Sequence, residues 1–256
     1  MKFQYCSDLH LEFSQNAKFL KSNPIIPKGD ILLLAGDIVQ FDQIEKHKDF
    51  FNYISDHFSA SYWVPGNHEY YCSNISHRSG KFIESIQRNV TLLNNSTVEI
   101  GNTRLIFSTL WSNISQGKEK YIRRGMSDFH LIQDDGNSLS VKKYNALHSQ
   151  SVSYIENIIE QEYVGNTVVI SHHLPTFRHY PPQYLGSALN EAFATDLDEL
   201  VKTSRADYWI YGHHHQKVSG FKIGETTLIT NQLGYVSHNE HGQFNTSQCI
   251  ELPMAH

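Results

Sequence analysis

The chain has 256 residues, 39% apolar and 18% charged, enough for one large α/β domain or two small ones with a substantial core. Its 21 Lys and Arg against 26 Asp and Glu leave a formal net charge of -5, which excludes a dedicated polyanion binder but not a phosphorylated substrate, since bound divalent cations would reverse the local field. Three scattered cysteines exclude a disulfide framework, and no apolar run reaches the ~20 residues of a membrane span, so a cytoplasmic chain with neither signal peptide nor membrane partner is expected.

Lys2–Cys6 reads as a buried strand running into Asp8. The short apolar run from Asp30 to Ala35 reads as an interior strand, and it stops at Gly36-Asp37. Asp42 to Phe58 has an amphipathic helical pattern, with Ile44, Phe50, Phe51 and Ile54 near one face. Tyr62–Val64 is a third strand, stopped by Pro65-Gly66. Ile75–Arg88 reads as a helix and Thr91–Leu93 as a strand. Thr97–Ile100 and Arg104–Ser108 flank Gly101-Asn102 as a hairpin.

Trp111–Ser138 has no clear period and is expected to be a long loop with a short helix near its start. Trp111, Arg123, Arg124, Asp128 and His130 lie in it, either shaping substrate choice or serving as loop packing and solvated charge. Ser140–Tyr163 is the longest predicted helix, with Ser140 as N-cap and Gly165-Asn166 as its stop. Thr167–Ile170 is a strand ending at His172, Ala192–Thr203 a helix, and Asp207–Tyr211 a strand ending at Gly212-His213. Lys217–Ile223 and Thr226–Thr230 form a second hairpin, and Ser247–Leu252 closes the sheet. Asn231 to Tyr235 follows the hairpin, either near a site or as a simple turn. With no repeat or linker, one domain over 1–256 is expected, a mixed sheet arrangement with helices outside.

Five motifs stand at strand ends: Asp8-Leu9-His10, Gly36-Asp37, Gly66-Asn67-His68-Glu69, Ser171-His172-His173 and Gly212-His213-His214-His215. Seven of the 16 histidines fall inside them. Ligands bind outside the carboxyl ends of strands in open α/β folds, so neighbouring strands would bring all five motifs to one edge. Gly36, Gly66 and Gly212 would let the backbone turn and carry the next side chain close to an ion. In Asp8-x-His10 and His213-x-His215 the outer residues share a side if the segment is extended. Mixed oxygen and nitrogen ligands suit Mn, Fe, Zn or similar ions, and the lack of cysteine argues against a structural zinc cage.

In this order the motifs resemble the calcineurin-like metallophosphoesterase superfamily. The resemblance covers residues 8 to 215 and implies a four-layer α/β/β/α sandwich of two mixed sheets flanked by helices, with two divalent metal ions. Asp8, His10, Asp37 and His215 resemble the ligands of one metal. Asp37 resembles the carboxylate bridging to a second, which would also take Asn67, His172 and His213. His68 resembles the histidine that contacts phosphate or protonates the leaving group. The family more often carries Asp at the Glu69 position. Of His172 and His173 either could ligate, and the family pattern favours the first; His214 should point away.

The implied activity is hydrolysis of a small phosphodiester or phosphomonoester by attack of metal-bridging hydroxide on phosphorus, with catalytic roles for Asp37 and His68. Asn67, His68 and Arg178 are the candidate substrate contacts. A nuclease of the same fold would need a basic groove that the charge balance does not favour. A silent binding scaffold would show degraded ligand positions, whereas all seven are filled.

Overall fold

The structure is a computed structural model that describes residues 1–216 and 218–253. Two six-stranded mixed sheets face each other. The first has the order β14-β1-β2-β3-β5-β4 and the second β12-β13-β11-β10-β7-β6. Their strands are β1 (Lys2–Cys6), β2 (Ile31–Ala35), β3 (Ala60–Val64), β4 (Phe82–Gln87), β5 (Val90–Asn94), β6 (Ser96–Ile100), β7 (Thr103–Ser108), β10 (Asn166–Ser171), β11 (Tyr208–Ile210), β12 (Phe221–Ile223), β13 (Thr226–Ile229) and β14 (Cys249–Glu251). A small separate hairpin pairs β8 (Gln133–Asp134) with β9 (Asn137–Ser138). The helices are α1 (Ser14–Ser22), α2 (Lys48–His57), α3 (Glu119–Gly125), α4 (Asp128–Leu131), α5 (Val141–Ile159) and α6 (Asp198–Ser204).

Strand periodicity builds the layers. Ile31, Leu33 and Ala35 of β2 join Leu105 and Phe107 of β7 and Val168 and Ile170 of β10 in the cluster between the sheets. The intervening Leu32 and Leu34 face outward to α2, where Phe51 and Ile54 pack with Trp63. On the other sheet Ile106, Val169 and Trp209 face Ile155 of α5 and Val201 of α6. A strand buried on both faces must be apolar throughout, which is why these runs are continuous rather than alternating. Burying each such Leu, Ile or Val side chain stabilises by about 1.5–3 kcal/mol. The expected four-layer α/β/β/α sandwich is the fold observed.

Several expected elements differ. The predicted helix Ile75–Arg88 is a short 3-10 turn, Ile75–Arg78, followed by edge strand β4. Phe82, Ile83 and Ile86 satisfy a helical stripe as well as a strand, and antiparallel pairing with β5 decides the matter. The Asp42–Phe58 helix is split into a 3-10 segment, Phe41–His47, and α2. Ala192–Thr203 is helical only from Asp198 to Ser204. The 111–138 stretch carries α3, α4 and the β8–β9 hairpin. α5 starts as expected, with Ser140 Oγ accepting from Lys143 N at 3.1 Å, but ends at Ile159, before Gly165. Helix α1 was not expected, because it has no side-chain cap and buries only Asn16 and Leu20. The Lys217 end of the predicted Lys217–Ile223 strand lies outside the described residues; β12 begins at Phe221.

Candidate metal centre

β1, β2 and β3 are parallel neighbours, as are β10 and β11 in the other sheet. Their carboxyl ends therefore open on one edge and carry the five motifs. The turns there are sharp. Asp8, His10, Asp37, His213 and His215 all have positive φ, between 48° and 80°. Non-glycine residues rarely adopt this conformation, and the surrounding contacts must hold it. The outer residues of Asp8-x-His10 and His213-x-His215 are thus placed by left-handed turns, not by an extended segment.

The three motif glycines serve chiefly to leave room. A Cβ at Gly212 would sit 2.6 Å from Asp8 Oδ2, and one at Gly66 would sit 2.7 Å from His172 Nε2 and closer still to Asp37. Only Gly36 also needs its positive φ, 89°.

Three groups of ligand-type atoms result among the described residues, one of them His10, Glu12 and His68 and the other two built on Asp37. Those of Asp8, His10, Asp37 and His215 lie within 4.8 Å of one another, as do those of Asp37, His172 and His213, and Asp37 belongs to both. His213 and His215 are therefore divided between the groups. Asn67 joins the second, with its Oδ1 3.2 Å from His172 Nε2.

The ring nitrogens have been oriented by their other partners. His10 Nδ1 donates to Glu12 at 3.1 Å and His215 Nδ1 to Glu240 at 2.8 Å. Their Nε2 atoms then carry lone pairs, and these face each other at 2.9 Å. That arrangement is repulsive unless a cation or proton lies between them. His172 Nδ1 donates to Ala35 O at 3.0 Å, so its Nε2 lone pair points at Asn67 Oδ1, at His213 Nδ1 (3.1 Å) and at Asp37 Oδ2 (3.4 Å). Both groups consist of converging acceptors, which is the chemistry of a cation site, so the residues fit the divalent ions that the fold family implies.

Charge follows the same pattern. Burial alone would raise Asp37, yet His172, His68 and His10 hold its carboxyl well below the usual carboxylate range. Burial opposes charge on His215, but Asp8 and Glu240 outweigh it and lift the ring to about 10; Asp37 and Asp8 lift His172 to about 9 in the same way. Burial, reinforced by His173 and His172, keeps His213 neutral. Protons and metal ions therefore compete for the His172 and His215 lone pairs.

His68 stands beside the first group, its ring 4.5 Å from that of His10. Its N–H donates to Asp37 Oδ1 at 2.9 Å, its Nδ1 to Glu12 Oε1 at 3.0 Å, and its Nε2 lies 3.2 Å from the Tyr235 hydroxyl. Glu69 braces the loops from beneath. Its oxygens accept from Asp37 N, Ile38 N, Gly66 N and Trp63 Nε1 at 2.7–3.0 Å. Burial and nearby Asp37 push this carboxyl up, but both oxygens meet only donors, so it is ionised.

Other candidate residues fall elsewhere. Arg178 Nε is paired with Asp198 at 2.5 Å on an exposed side chain, and Arg178 does not line the cavity over the centre. His173 lies outside both groups, hydrogen-bonded to Tyr144 and Thr109. His214 lines the cavity, but its Nδ1 accepts from Gln232 and Gln216. Trp111 packs on Tyr70, Tyr144 and His173, and Arg123, Arg124 and His130 are exposed. Of these five loop candidates Asp128 reaches the centre, through Asn67, while Gly125, Met126, Ser127 and Leu131 of the same stretch line the cavity.

Sequence reading missed Glu12, Glu240 and Asn16. Asn16 Nδ2 donates to Leu9 O and Gly234 O, tying α1 to the loops around the centre. Glu12, two residues from His10, had a signal in its position; Glu240 had none.

A cavity of about 520 Å³ opens over the centre. Phe13, Tyr71, Tyr180, Leu189, Phe193 and Tyr235 form much of its wall, and among the described residues no Lys or Arg lines it.

The family model for calcineurin-like phosphoesterases matches residues 1–217. An uncharacterised protein of Acanthamoeba polyphaga mimivirus is 35% identical over 97% of this chain and 96% of its own. Among solved structures, phosphopantetheinyl hydrolase from Mycobacterium tuberculosis superposes with a TM-score of 0.70 at 16% identity, covering 97% of this chain and 95% of that one. A dimetal phosphatase from Danio rerio gives 0.51 at 13% identity, covering 91% and 87%. At such identities the two structures establish the fold alone.

Proposed function

The chain belongs to the calcineurin-like phosphoesterase family, and on that premise we propose that it is a metal-dependent hydrolase of a small phosphate ester, mono- or diester, with an apolar or aromatic organic part. The observation that carries the reading is the pair of ligand-type groups sharing Asp37. Asp8, His10, Asp37 and His215 would hold one divalent ion, and Asp37, Asn67, His172 and His213 the other. Such ions supply neutralisation of the phosphoryl anion and activation of water at neutral pH.

The chain's own groups do the rest. His68, held through Nδ1 by Glu12, keeps Nε2 toward the cavity, where it can protonate a leaving oxygen. The aromatic wall favours an apolar or aromatic organic part.

The test is a panel of 4-nitrophenyl phosphate, bis(4-nitrophenyl) phosphate, cyclic nucleotides and a phosphopantetheinyl ester, the group named for the Mycobacterium tuberculosis neighbour. Each is assayed with Mn, Zn and Fe(II). Full metal-dependent turnover in folded Asp37→Ala and His213→Ala variants contradicts the assignment.

A nuclease is the second reading. Exposed Lys120, Arg123 and Arg124 on α3 run directly into Gly125, which lines the cavity. Cleavage of labelled oligonucleotides in preference to the small esters would favour it.

A further inference from the structure

Asn67 differs from its companions in the two groups. An amide has a donor end and an acceptor end, and only the oxygen can face a cation. Something must decide which end points inward. Here the NH2 donates to Asp128 Oδ1 at 2.8 Å and to the Tyr71 hydroxyl at 3.2 Å. Tyr71 donates its own proton to that same Asp128 oxygen at 2.7 Å, which leaves its lone pairs for Asn67. The polarity of this triangle starts at Asp128, since an ionised carboxylate can only accept.

Asp128 is itself fully buried, on α4 in the stretch that carried no clear sequence pattern, and its Oδ2 has no hydrogen-bond partner among the described residues. A buried carboxylate with one oxygen unpaired costs stability, so its place beside Asn67 calls for a role that packing does not supply.

We propose that Asp128 is a positioning residue of the centre: it locks the Asn67 carboxamide with Oδ1 toward His172 and Asp37, as an inner-sphere oxygen for the second ion. The inference rests on reading that group as a metal site. Asp128→Leu keeps the bulk but offers no acceptor, which releases the amide to flip, whereas Asp128→Asn can keep its carbonyl oxygen on both donors with its NH2 at the unpaired Oδ2 position.

The experiment is calorimetric titration of the metal-free protein with Mn2+, in wild type, Asp128→Leu, Asp128→Asn, Asn67→Ala and the Asp128→Leu/Asn67→Ala double variant, with thermal unfolding in chelator alongside to show that each is folded. Asp128→Leu is expected to weaken one of two ions about 10- to 100-fold and leave the other unchanged. Asp128→Asn, which keeps an acceptor oxygen for both donors, is expected to bind that ion more tightly than Asp128→Leu. In the Asn67→Ala background Asp128→Leu should have no further effect, because Asp128 acts only through that amide. Wild-type affinity for both ions in Asp128→Leu, or additive losses in the double variant, overturns the proposal. If Asp128→Leu does not fold, Asp128→Glu, which shifts the acceptor by one methylene, is expected to weaken the same ion, and unchanged affinity there is equally decisive. Failure of the wild type to bind Mn2+ at all would instead overturn the metal-centre reading.

Discussion

Glu69→Gln tests the bracing of the centre. The carboxylate is fully buried and takes four N–H groups: Asp37 N (3.0 Å) and Gly66 N (2.7 Å) on Oε2, Ile38 N (2.7 Å) and Trp63 Nε1 (2.9 Å) on Oε1. Glutamine is isosteric but has one acceptor oxygen. Whichever way the amide is placed, two N–H groups meet an NH2. At about 1.5–3 kcal/mol for each hydrogen bond to a charged group, the loss is ~3–6 kcal/mol. Removing a buried charge next to Asp37 returns part of this, so we expect the lower end, about 3 kcal/mol. For a chain of this size that corresponds to a fall of roughly 6–12 °C in Tm. The assay is urea and thermal unfolding of wild type and variant with saturating Mn2+, followed by tryptophan fluorescence, since Trp63 is one of the four donors. A loss below about 1 kcal/mol refutes the reasoning, because it would mean that the four contacts do not act on an ionised carboxylate.

Four further outcomes follow from the same geometry. His68→Ala should lower kcat by about 10²–10⁴ while metal content, measured by mass spectrometry, stays at the wild-type level. Exhaustive chelation should abolish turnover and lower Tm, and Mn2+ should restore both; at a metal concentration of 100 Kd the recovered stability is ~2.7 kcal/mol. Because His172 and His215 hold protons with pKa values of about 9 and about 10, a bound ion must displace them. Mn2+ affinity should therefore rise with pH up to that range, and calorimetry in buffers of different ionisation enthalpy should count protons released on binding. Gly212→Ala puts a methyl group against Asp8 and Ser7, and should reduce metal content through the group containing His10 and His215 more than through the other.

Part of the fold was legible because it is local. The runs ending at Ala35, Val64 and Ile170 are short, continuous and apolar, as strands buried on both faces must be. Ser140 announced the start of α5 through a hydroxyl three residues from its partner amide. Segments whose local pattern admits two answers were not legible. Phe82, Ile83 and Ile86 fit a helix in isolation, and only the partner strand β5 makes them an edge strand. Helix α1 lacks a cap and an apolar stripe, and is held by Asn16 reaching the Leu9 and Gly234 carbonyls.

The same division holds at the centre. Ligand type is a property of single side chains, so Asp8, His10, Asp37, Asn67, His172, His213 and His215 could be read from their motifs, and their position at strand ends implied one edge. How they sort is a property of the folded chain. Positive-φ turns separate His213 from His215, and the partners that orient the rings and the amide, Glu12, Glu240 and Asp128, come from segments with no motif of their own. A lone pair is aimed by whatever holds the opposite atom of the same group, and that partner can lie anywhere in the sequence. The residue set was therefore written in the chain, while the direction of each donor was decided only by packing and hydrogen bonding across the two sheets.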